Sequence, residues 1–599
     1  MIEKRQLLRN NEYYDIQEIF DNLYSKSKHN YKFKNLFNYI IDDRNIELAY
    51  RNIKKNKGST TSGVDGKNIN YLKNITNKEI ILYVKRRLEN YTPQKVRRVE
   101  IPKPNGKLRP LGIPTIGDRI IQQCIKQVLE PICEAKFYKH SYGFRPNRST
   151  EHAVSRSVTL ANRNFHHVVD IDIEGFFDNV NHGKLLKQIW TLGIRDKKLI
   201  SIISKILKSP IEGIGVPKKG TPQGGILSPL LSNIVLNELD WWIANQWESI
   251  KTRHKYTKCN KYTALKKTKL KEMFIVRYAD DFKIFCKNRN TAKKAFIATN
   301  MWLKERLNLQ ISKDKSKVVN LNKNYSEFLG FKMKVRNKGK KKVVTSHISE
   351  KAKEKIKSKL KKQIVKIQKD NNSNNVNRYN AIILGVHNYY RIATNAHSNF
   401  NKIAYILGKS IHNRTKNIRS KIGKKTKAYC KLYGEYKSKA TFISGIALFP
   451  IGGIKTRPPI NFTQEICNYT IKGRNLIHSK LRNMDYKVLK YMLENPISSE
   501  NIEFNDNRIS LYIGQNCKCA VTKKFLEIGE MEVHHIIPKQ FDGDDKYDNL
   551  IFVTSNVHKL IHATNKDTIN KYLDMLKLNP KQLSKINELR VMSRNFEIL

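Results

Sequence analysis

Two adjacent aspartates, Asp280 and Asp281, lie between two short apolar runs, at 273–276 and 282–286, that are rich in β-branched and aromatic residues. This pattern predicts a β-hairpin with both carboxylates at its tip. Adjacent carboxylates repel each other, and burial strengthens the repulsion, so we expect a cation to neutralise them. Carboxylate oxygens suit Mg²⁺. For the dipeptide alone, a solvated turn would be the simpler interpretation.

A third carboxylate favours a metal site over a solvated turn. Asp172 lies near the end of another apolar run, at 166–173, which is also predicted to be a strand. Three aspartates from two separate strands can hold two metal ions, which activate a primer 3′-hydroxyl and stabilise the leaving pyrophosphate during an in-line displacement. The sequence therefore predicts a two-metal centre for nucleotidyl transfer.

A second group of residues that could bind a metal or take part in catalysis lies near the C-terminus. His534 and His535 are followed by Asn549, and then by His558 and His562. A lone His-His pair is usually incidental, but this order and spacing are typical of a nuclease. Such a site needs one histidine as general base for water, further ligands for a single divalent metal, and an asparagine to orient the base.

Composition limits the partners and the compartment. The chain has 599 residues, with 114 Lys and Arg against 52 Asp and Glu, a formal net charge of +62. That excess predicts a polyanionic partner with strongly salt-dependent binding. Long apolar spans and a secretory signal are not visible, which argues against a membrane protein. Eight scattered cysteines do not form a disulfide framework, so we expect a reducing compartment.

Three ordered motifs resemble those of reverse transcriptases. Tyr278-Ala279-Asp280-Asp281 is similar to their palm signature, and the run at 172–178 is similar to their other aspartate motif. The Pro-Gln-Gly-Gly stretch within 221–229 lies between the two, in the order of the family. With the histidine cluster, the chain from about Asn45 onward resembles a group II intron-encoded protein, a reverse transcriptase and maturase that carries an HNH endonuclease.

The resemblance implies roles for residues of the polymerase site. The metal ligands would be Asp172, Asp280, Asp281 and the backbone carbonyl of Ile173. Phe177 would lie under the sugar of the incoming nucleotide and exclude a 2′-hydroxyl, which implies deoxynucleotides. A turn at 104–106 predicts a second hairpin. Without the resemblance, the simplest interpretation of its basic residues is surface charge. In the family, residues at such positions contact the nucleotide, which here implicates Lys103, Arg109, Gln223 and, as a weaker candidate, Arg97.

The resemblance also assigns the C-terminal residues. His535 would be the general base, His534 and His558 would bind the metal, Asn549 would orient His535, and His562 would be a secondary candidate. Many family members carry two Cys-x-x-Cys pairs for structural zinc. Here Cys517 and Cys519 are separated by one residue and have no second pair, so a complete four-cysteine zinc site is not expected.

The predicted fold is an α+β multidomain protein: a right-hand polymerase with fingers and palm, an α-helical thumb or maturase domain, and a C-terminal ββα-metal HNH domain. Apolar residues at 356, 360, 364 and 367 predict one face of a basic thumb helix. The Lys-rich segment 241–271 is expected to be solvated and partly disordered. The predicted domains are 1–45 (N-terminal extension), 46–345 (fingers and palm), 346–450 (thumb or maturase), 451–510 (DNA-binding region or linker) and 511–599 (endonuclease).

The expected activities are RNA-directed DNA synthesis, maturase assistance to splicing, and nicking of a DNA target to supply a primer. The expected partners are group II intron RNA, target DNA and dNTPs, with no membrane, and a homodimer remains open. The expected cofactors are two Mg²⁺ at the aspartates and one divalent metal at the histidines. The expected location is the bacterial cytoplasm at the nucleoid, with an organelle as the alternative.

Two other functions compete with this interpretation. The first is an RNA-binding splicing factor whose active sites are dead, and loss of either metal-binding set would favour it. All the aspartates and histidines named above are present, which argues against that reading. The second is a viral type of RNA polymerase, which Phe177 and the maturase-like segment oppose.

Overall fold

A computed structural model gives the fold and describes residues 11, 14–54, 56–102, 106, 108–437, 439–478 and 486–598. The predicted contact residue Lys103 lies outside these ranges. Within them, none of the helices is long and apolar enough to cross a bilayer. The chain forms a helical N-terminal region, an antiparallel palm sheet, a helical thumb and a small C-terminal unit.

The N-terminal helices are built around one long buried helix. They are α1 (Gln17–Lys28), α2 (Phe37–Ile40), α3 (Asp43–Lys54), α4 (Asn77–Glu89) and α5 (Ile116–Glu134), with 3-10 turns at Lys57–Thr60 and Ile69–Asn74. Phe20 of α1 and Ile46 of α3 are buried in the same core as Ile125 of α5. The residues predicted as an N-terminal extension therefore share the core of the polymerase.

The predicted second hairpin is present. Strands β1 (Arg97–Pro102) and β2 (Leu108–Ile113) pair in antiparallel fashion, with Pro102 opposite Leu108 at the end nearest the turn and Arg97 opposite Ile113 at the base. The register places Arg109 near the tip and Arg97 at the far end of the same hairpin. The two arginines are therefore several residue pairs apart along it.

The palm is a four-stranded antiparallel sheet in the order β4-β5-β3-β6. Its strands are β3 (His167–Asp172), β4 (Met273–Tyr278), β5 (Asp281–Cys286) and β6 (Lys317–Asn320). The associated helices are α6 (Thr150–Asn162), α7 (Phe176–Asn179), α8 (His182–Thr191), α9 (Lys197–Leu207), α10 (Ser228–Asn245), α11 (Lys258–Lys266) and α12 (Arg289–Trp302), followed by a π-helical turn at Leu303–Leu307. Helices α6, α10 and α12 contact the sheet.

The segment 241–271 differs from the expectation of a solvated, partly disordered insertion. It contains α11, whose Leu265 is buried, and the Tyr262 ring stacks on the buried Trp247 ring with centroids 6.3 Å apart. The Lys-rich composition hid these few apolar anchors, which are enough to fix a short helix against the palm.

The thumb follows a three-stranded sheet of β7 (Ser326–Phe328), β8 (Phe331–Lys338) and β9 (Lys341–Ile348). It contains α13 (Glu350–Lys369), α14 (Ser373–Tyr390), α15 (Ala396–Thr415) and α16 (Lys427–Tyr433), with short strands β10 (Arg419–Ser420), β11 (Phe442–Ile443) and β12 (Ile446–Ala447). Ile356, Leu360, Ile364 and Ile367 are buried on one face of α13, which confirms the predicted apolar stripe.

The region predicted as a linker is attached to the polymerase over much of its length. Arg457 forms an ion pair with Glu151 of α6, and the Tyr469 hydroxyl donates to Glu130 of α5 at 3.1 Å. Farther along, Arg51 of α3 forms a buried ion pair with Asp506. These contacts hold the start of the C-terminal unit against the N-terminal helices.

The C-terminal unit has its own apolar core. Its elements are α17 (Ile471–His478), α18 (Tyr486–Glu494), α19 (Ile502–Gly514), β13 (Met531–His535), β14 (Leu550–Thr554), α20 (Ser555–His562), α21 (Lys566–Leu576) and α22 (Pro580–Met592), with 3-10 turns at Lys539–Phe541 and Tyr547–Asn549. The antiparallel strands β13 and β14, followed by α20, form the predicted ββα arrangement.

Candidate active sites

The palm hairpin brings the three predicted aspartates to one place. Tyr278 and Asp281 pair across β4 and β5, so Ala279 and Asp280 form the turn. On the other side of β5, Asp281 is directly opposite Asp172 of β3. Directly opposed residues in antiparallel strands have Cβ atoms about 4.5–5.5 Å apart. Two carboxylates from separate strands are therefore neighbours, with a third at the adjacent turn.

Backbone geometry directs the Ile173 carbonyl toward the same side. Asp172 O accepts a bond from Ser312 N at 2.8 Å, and Glu174 N donates to Gln310 O at 2.9 Å. Backbone groups alternate sides along an extended strand, so the intervening Ile173 carbonyl points away from that segment, toward the side of β5. This orientation fits the predicted backbone metal ligand.

The turn formed by Ala279 and Asp280 has an uncommon backbone conformation that neighbouring residues stabilise. Ala279 has a φ of 57°, and its carbonyl accepts a 2.8 Å bond from the Arg277 guanidinium. A Cβ on Gly143 would lie 2.3 Å from Ala279 N, so only glycine allows the 140–145 loop to approach this closely. Asn233 donates to the Gly143 carbonyl at 2.9 Å. The 140–145 loop thus fixes the metal-binding turn.

A buried ion pair anchors that support. The Arg277 Nη2 to Asp240 Oδ2 distance is 2.6 Å, and both side chains are inaccessible to solvent. Arg277 Nη1 also donates to Asn233 at 3.0 Å, in addition to its bond to the Ala279 carbonyl. Removing one partner of a buried pair leaves an uncompensated charge, which costs more than the pair itself contributes.

We expect Asp240→Ala to destabilise the palm by about 3–5 kcal/mol, because it strands Arg277 in the core. Thermal unfolding of the intact protein measures the change. Glu238 is two positions away on α10 and pairs with Arg306 at 3.0 Å on the exposed surface. Glu238→Ala is therefore a matched control with an expected cost of about 1 kcal/mol or less. Equal destabilisation by both variants would contradict the role given to the buried pair.

The electrostatics of the hairpin fit a site that receives cations. Burial, together with Asp170, Asp280 and Asp172, raises the pKa of Asp281 to about 6. Burial and Asp172 also raise the pKa of Asp280. The Lys283 ammonium opposes the shift at Asp281, but that ammonium is already engaged by Asp170 at 2.7 Å. Asp170 also accepts from Ser326, so it is a structural carboxylate.

The donor set fits Mg²⁺, although the carboxylates are splayed. Within the described residues, oxygens from Asp172, Asp280 and Asp281 do not all lie within 4.8 Å of one another. Lys315 holds Asp172 Oδ2 at 3.0 Å in an exposed ion pair. An exposed ion pair of this kind is weak.

Residues predicted to bind the nucleotide surround this edge of the sheet. Burial raises the pKa of Asp280, and electrostatic attraction from Arg109 opposes part of that rise. Gln223 donates to Asp178 at 3.3 Å, and its carbonyl accepts from Gly112 N of β2 at 2.6 Å. The Gln223 loop therefore connects the second hairpin with the aspartate motif. Arg97, at the base of that hairpin, remains a prediction.

Phe177 is partly exposed, whereas Phe176 is buried, as expected for a substrate-facing residue and its core neighbour. The Phe177 backbone is held by a hydrogen bond, which its carbonyl accepts from Thr221 N at 2.7 Å. Its ring is edge-on to Phe144, with centroids 6.5 Å apart, and Phe144 is itself exposed with a φ of 57°. The position of the Phe144 ring beside Phe177 is not evident from the sequence, which places the two residues in separate runs at 140–149 and 172–178.

The C-terminal histidines form a second cluster. His534 on β13 faces His558 and His562 on α20, and one ring nitrogen from each lies within 4.8 Å of the others. His558 and His562 are four positions apart on one helix face, which is why they act together. Burial, with the neighbouring histidines, lowers the pKa of His534 to about 3, so its ring is neutral and able to bind metal. His562, a secondary candidate from sequence, stands here beside the two predicted ligands.

His535 lies on the other face of β13, as strand alternation requires. Its Nε2 is 2.8 Å from Asp545 Oδ1, and its ring stacks on Phe504 with centroids 5.5 Å apart. The expectation that Asn549 orients His535 differs from the structure. The Asn549 amide accepts from Ile537 N at 2.9 Å and donates to Asp544 O at 2.8 Å. Asn549 braces the intervening loop, which presents Asp545 to the histidine.

Cys517 and Cys519 are buried in the apolar core of this unit. Among the residues that the structure describes, the three histidines are the only group of three or more whose side chains could share a metal ion at this spacing. The two cysteines thus pack within the core.

The palm hairpin, the aspartate pair across it and the following helical thumb define a reverse transcriptase with an attached maturase domain. The family model for "Reverse transcriptase (RNA-dependent DNA polymerase)" matches residues 101–333, and that for "Type II intron maturase" matches residues 337–449. The chain belongs to the group II intron-encoded protein family, whose maturase domain implies binding to intron RNA.

Individual relatives support this membership. Group II intron-encoded protein LtrA of Lactococcus lactis subsp. cremoris is 30% identical over 441 residues, covering 62% of this chain and 72% of the relative. Protein YkfC of Escherichia coli is 34% identical over 341 residues, covering 54% of this chain and 89% of the relative. The Putative COX1/OXI3 intron 2 protein of Saccharomyces cerevisiae is 29% identical over 337 residues, covering 49% of this chain and 38% of the relative. Both family models end before the histidine cluster.

Proposed function

We propose that this reverse transcriptase and maturase copies its intron RNA by target-primed synthesis, and that its C-terminal unit nicks the DNA strand that supplies the primer. The observation that carries the polymerase half is the direct pairing of Asp172 with Asp281 beside the Asp280 turn. The observation that carries the nuclease half is the convergence of His534, His558 and His562 on a ββα element.

In the polymerase site, Asp172, Asp280, Asp281 and the Ile173 carbonyl would hold two Mg²⁺. When bound, these ions lower the pKa of the primer 3′-hydroxyl and neutralise the leaving pyrophosphate. The protein supplies position: Arg109 near the hairpin tip offers a cation to the triphosphate, and Gln223 lines the same edge. The Gly143 and Arg277 contacts keep the turn aligned so that its carboxylates need little reorganisation.

Phe177 is the proposed filter for deoxynucleotides. Its backbone is held by the hydrogen bond to its carbonyl. Its partly exposed ring would leave no space for a 2′-hydroxyl. We expect Phe177→Val to raise the relative use of rNTPs by about 10- to 100-fold, because a shape-based pocket discriminates a single hydroxyl by about that factor. The ratio of kcat/KM for dGTP and rGTP, on one RNA template, measures it. Phe176→Leu, in the core neighbour, is the control.

An unchanged nucleotide ratio in Phe177→Val, with intact overall synthesis, would remove Phe177 from the sugar contact. A matching shift in Phe176→Leu would point to general loosening of the site.

In the nuclease site, His534, His558 and His562 would hold one divalent metal, which when bound stabilises the charge that develops on the scissile phosphate. His535 would accept the proton of the attacking water. The expected products are a 5′-phosphate and a free 3′-hydroxyl. That hydroxyl is the group the polymerase site requires, which links the two activities.

One reaction tests both halves together. The protein bound to its intron RNA is incubated with end-labelled target DNA and dNTPs, and the DNA strands are resolved under denaturing conditions. We expect labelled cDNA covalently joined to the nicked strand. A nick without extension would retain only the nuclease proposal, and extension only from an added primer would retain only the polymerase proposal.

Net charge supports nucleic acid as the partner of both sites. The formal charge of +62 is spread along the chain, and the exposed side of α13 carries many of its lysines. Counterion release then makes affinity fall steeply with salt. The alternative, a splicing factor without catalysis, would keep this RNA binding but would not need the paired carboxylates or the clustered histidines.

A further inference from the structure

The loop between β13 and β14 contains a carboxylate whose position is unexplained by packing alone. Asp545 is mostly buried, and one of its oxygens lies 2.8 Å from Nε2 of His535. The same side chain accepts a bond from Asn501, and Lys539 approaches it at 3.3 Å. Its backbone carbonyl accepts from Asn507 at 2.7 Å. The carboxylate is thus fixed from several sides and aimed at the histidine.

This arrangement determines which nitrogen of His535 is free. A carboxylate accepts hydrogen bonds only, so the contact requires a proton on Nε2. In the neutral ring the lone pair then lies on Nδ1. The Phe504 ring, stacked on His535 at an interplanar angle of 20°, prevents the imidazole from tilting. Tautomer and ring plane are therefore both set by neighbours outside the metal cluster.

We propose that Asp545 is the positioning residue of the nuclease site, the role that the sequence pattern gave to Asn549. The inference rests on the proposed nuclease function and deepens it. Asp545 holds His535 with Nδ1 unprotonated and stabilises the positive charge that the ring acquires when it takes a proton. Asn549 acts one step further away, by closing the loop that delivers Asp545.

The chemical step balances with water as the only co-reactant. A proton leaves the attacking water for Nδ1 of His535, while Nε2 keeps its own proton in the bond to Asp545. The water oxygen forms a bond to phosphorus as the bond from phosphorus to the 3′ oxygen breaks. A second water protonates the leaving oxygen, and the imidazolium later returns its proton to solvent. Asp545 stays ionised throughout.

The test uses the full-length protein with its intron RNA and measures single-turnover nicking of target DNA. We expect Asp545→Asn to slow the nicking step by about 10²- to 10⁴-fold, because the isosteric amide can donate to Nε2 and so place the proton on Nδ1. The Mg²⁺ and DNA concentrations that give half-maximal rate should stay within about twofold of the wild-type values, since the metal ligands are untouched.

The neighbouring residue provides a matched control. Asp544 is exposed, and its carboxylate pairs with Lys546 rather than with a histidine. Asp544→Asn removes the same charge one position away and should nick at the wild-type rate. Thermal unfolding of each variant separates loss of chemistry from loss of fold. Should Asp545→Asn unfold, Asp545→Glu, which keeps the charge and shifts it by one methylene, should retain more nicking than Asp545→Ala.

Three results would overturn the proposal. They are wild-type nicking by Asp545→Asn, an equal loss in Asp544→Asn, and a fall in metal or DNA affinity that accounts for the whole effect. The first of these leaves the nuclease assignment standing provided that His535→Ala is inactive. If His535→Ala nicks normally, the nuclease assignment itself fails, whatever Asp545 does.

Discussion

Asp280→Asn is expected to lower RNA-templated DNA synthesis by about 10³-fold or more, while RNA binding and splicing persist. The substitution keeps the shape of the turn but removes a carboxylate from the proposed metal set. Loss of metal-centred stabilisation costs several kcal/mol at the transition state, and each 1.4 kcal/mol is about tenfold in rate. Primer extension on an RNA template with saturating dNTPs measures the change.

The control for this variant is Asp314→Asn, which removes an exposed carboxylate from the loop that precedes β6. It should extend primers at the wild-type rate. Comparable extension by Asp280→Asn would count against the metal assignment. Simultaneous loss of splicing would indicate that the turn, and not the metal site alone, had been damaged.

His535→Ala is expected to reduce DNA nicking by about 10²- to 10⁴-fold, the usual contribution of a general base. Extension from a supplied 3′-hydroxyl should be unaffected, because His535 belongs to the C-terminal unit, whose apolar core is separate from that of the palm. The assay follows cleavage of one labelled DNA strand by the protein bound to its intron RNA.

The two variants control each other. Asp280→Asn should nick and fail to extend, and His535→Ala should extend an added primer and fail to nick. Retained nicking in His535→Ala would remove that residue as the base. Loss of both activities in either variant would mean that the two sites are not chemically independent.

The sequence predicted the elements around the polymerase site because local signals were strong. The apolar runs flanking Asp280 and Asp281 predicted β4 and β5, and the turn at 104–106 predicted the β1 and β2 hairpin. The central place of β3, between β5 and β6, depends on which distant strands pair, and periodicity within one strand does not specify that. The sequence therefore predicted that the three aspartates share a metal centre, but the direct pairing of Asp172 with Asp281 was found only in the structure.

Other features depended on tertiary contacts that leave little trace in the sequence. Asp545 is one of several acidic residues in a polar loop, and only the fold selects it over Asp544 as the neighbour of His535. Likewise, Gly143 resembles an ordinary turn glycine until the backbone of Ala279 is placed against it. The lysines of 241–271 suggested solvation, yet Trp247 and Leu265 are buried.

The ion pair between Arg51 of α3 and Asp506 of α19 matters for anyone who divides this protein into parts. A shortened chain that stops before α19 would lose this ion pair and expose to water the surface around Arg51, which is buried in the intact protein. Poor solubility or low yield of such a fragment would then reflect the newly exposed surface at the cut, not instability of the polymerase itself.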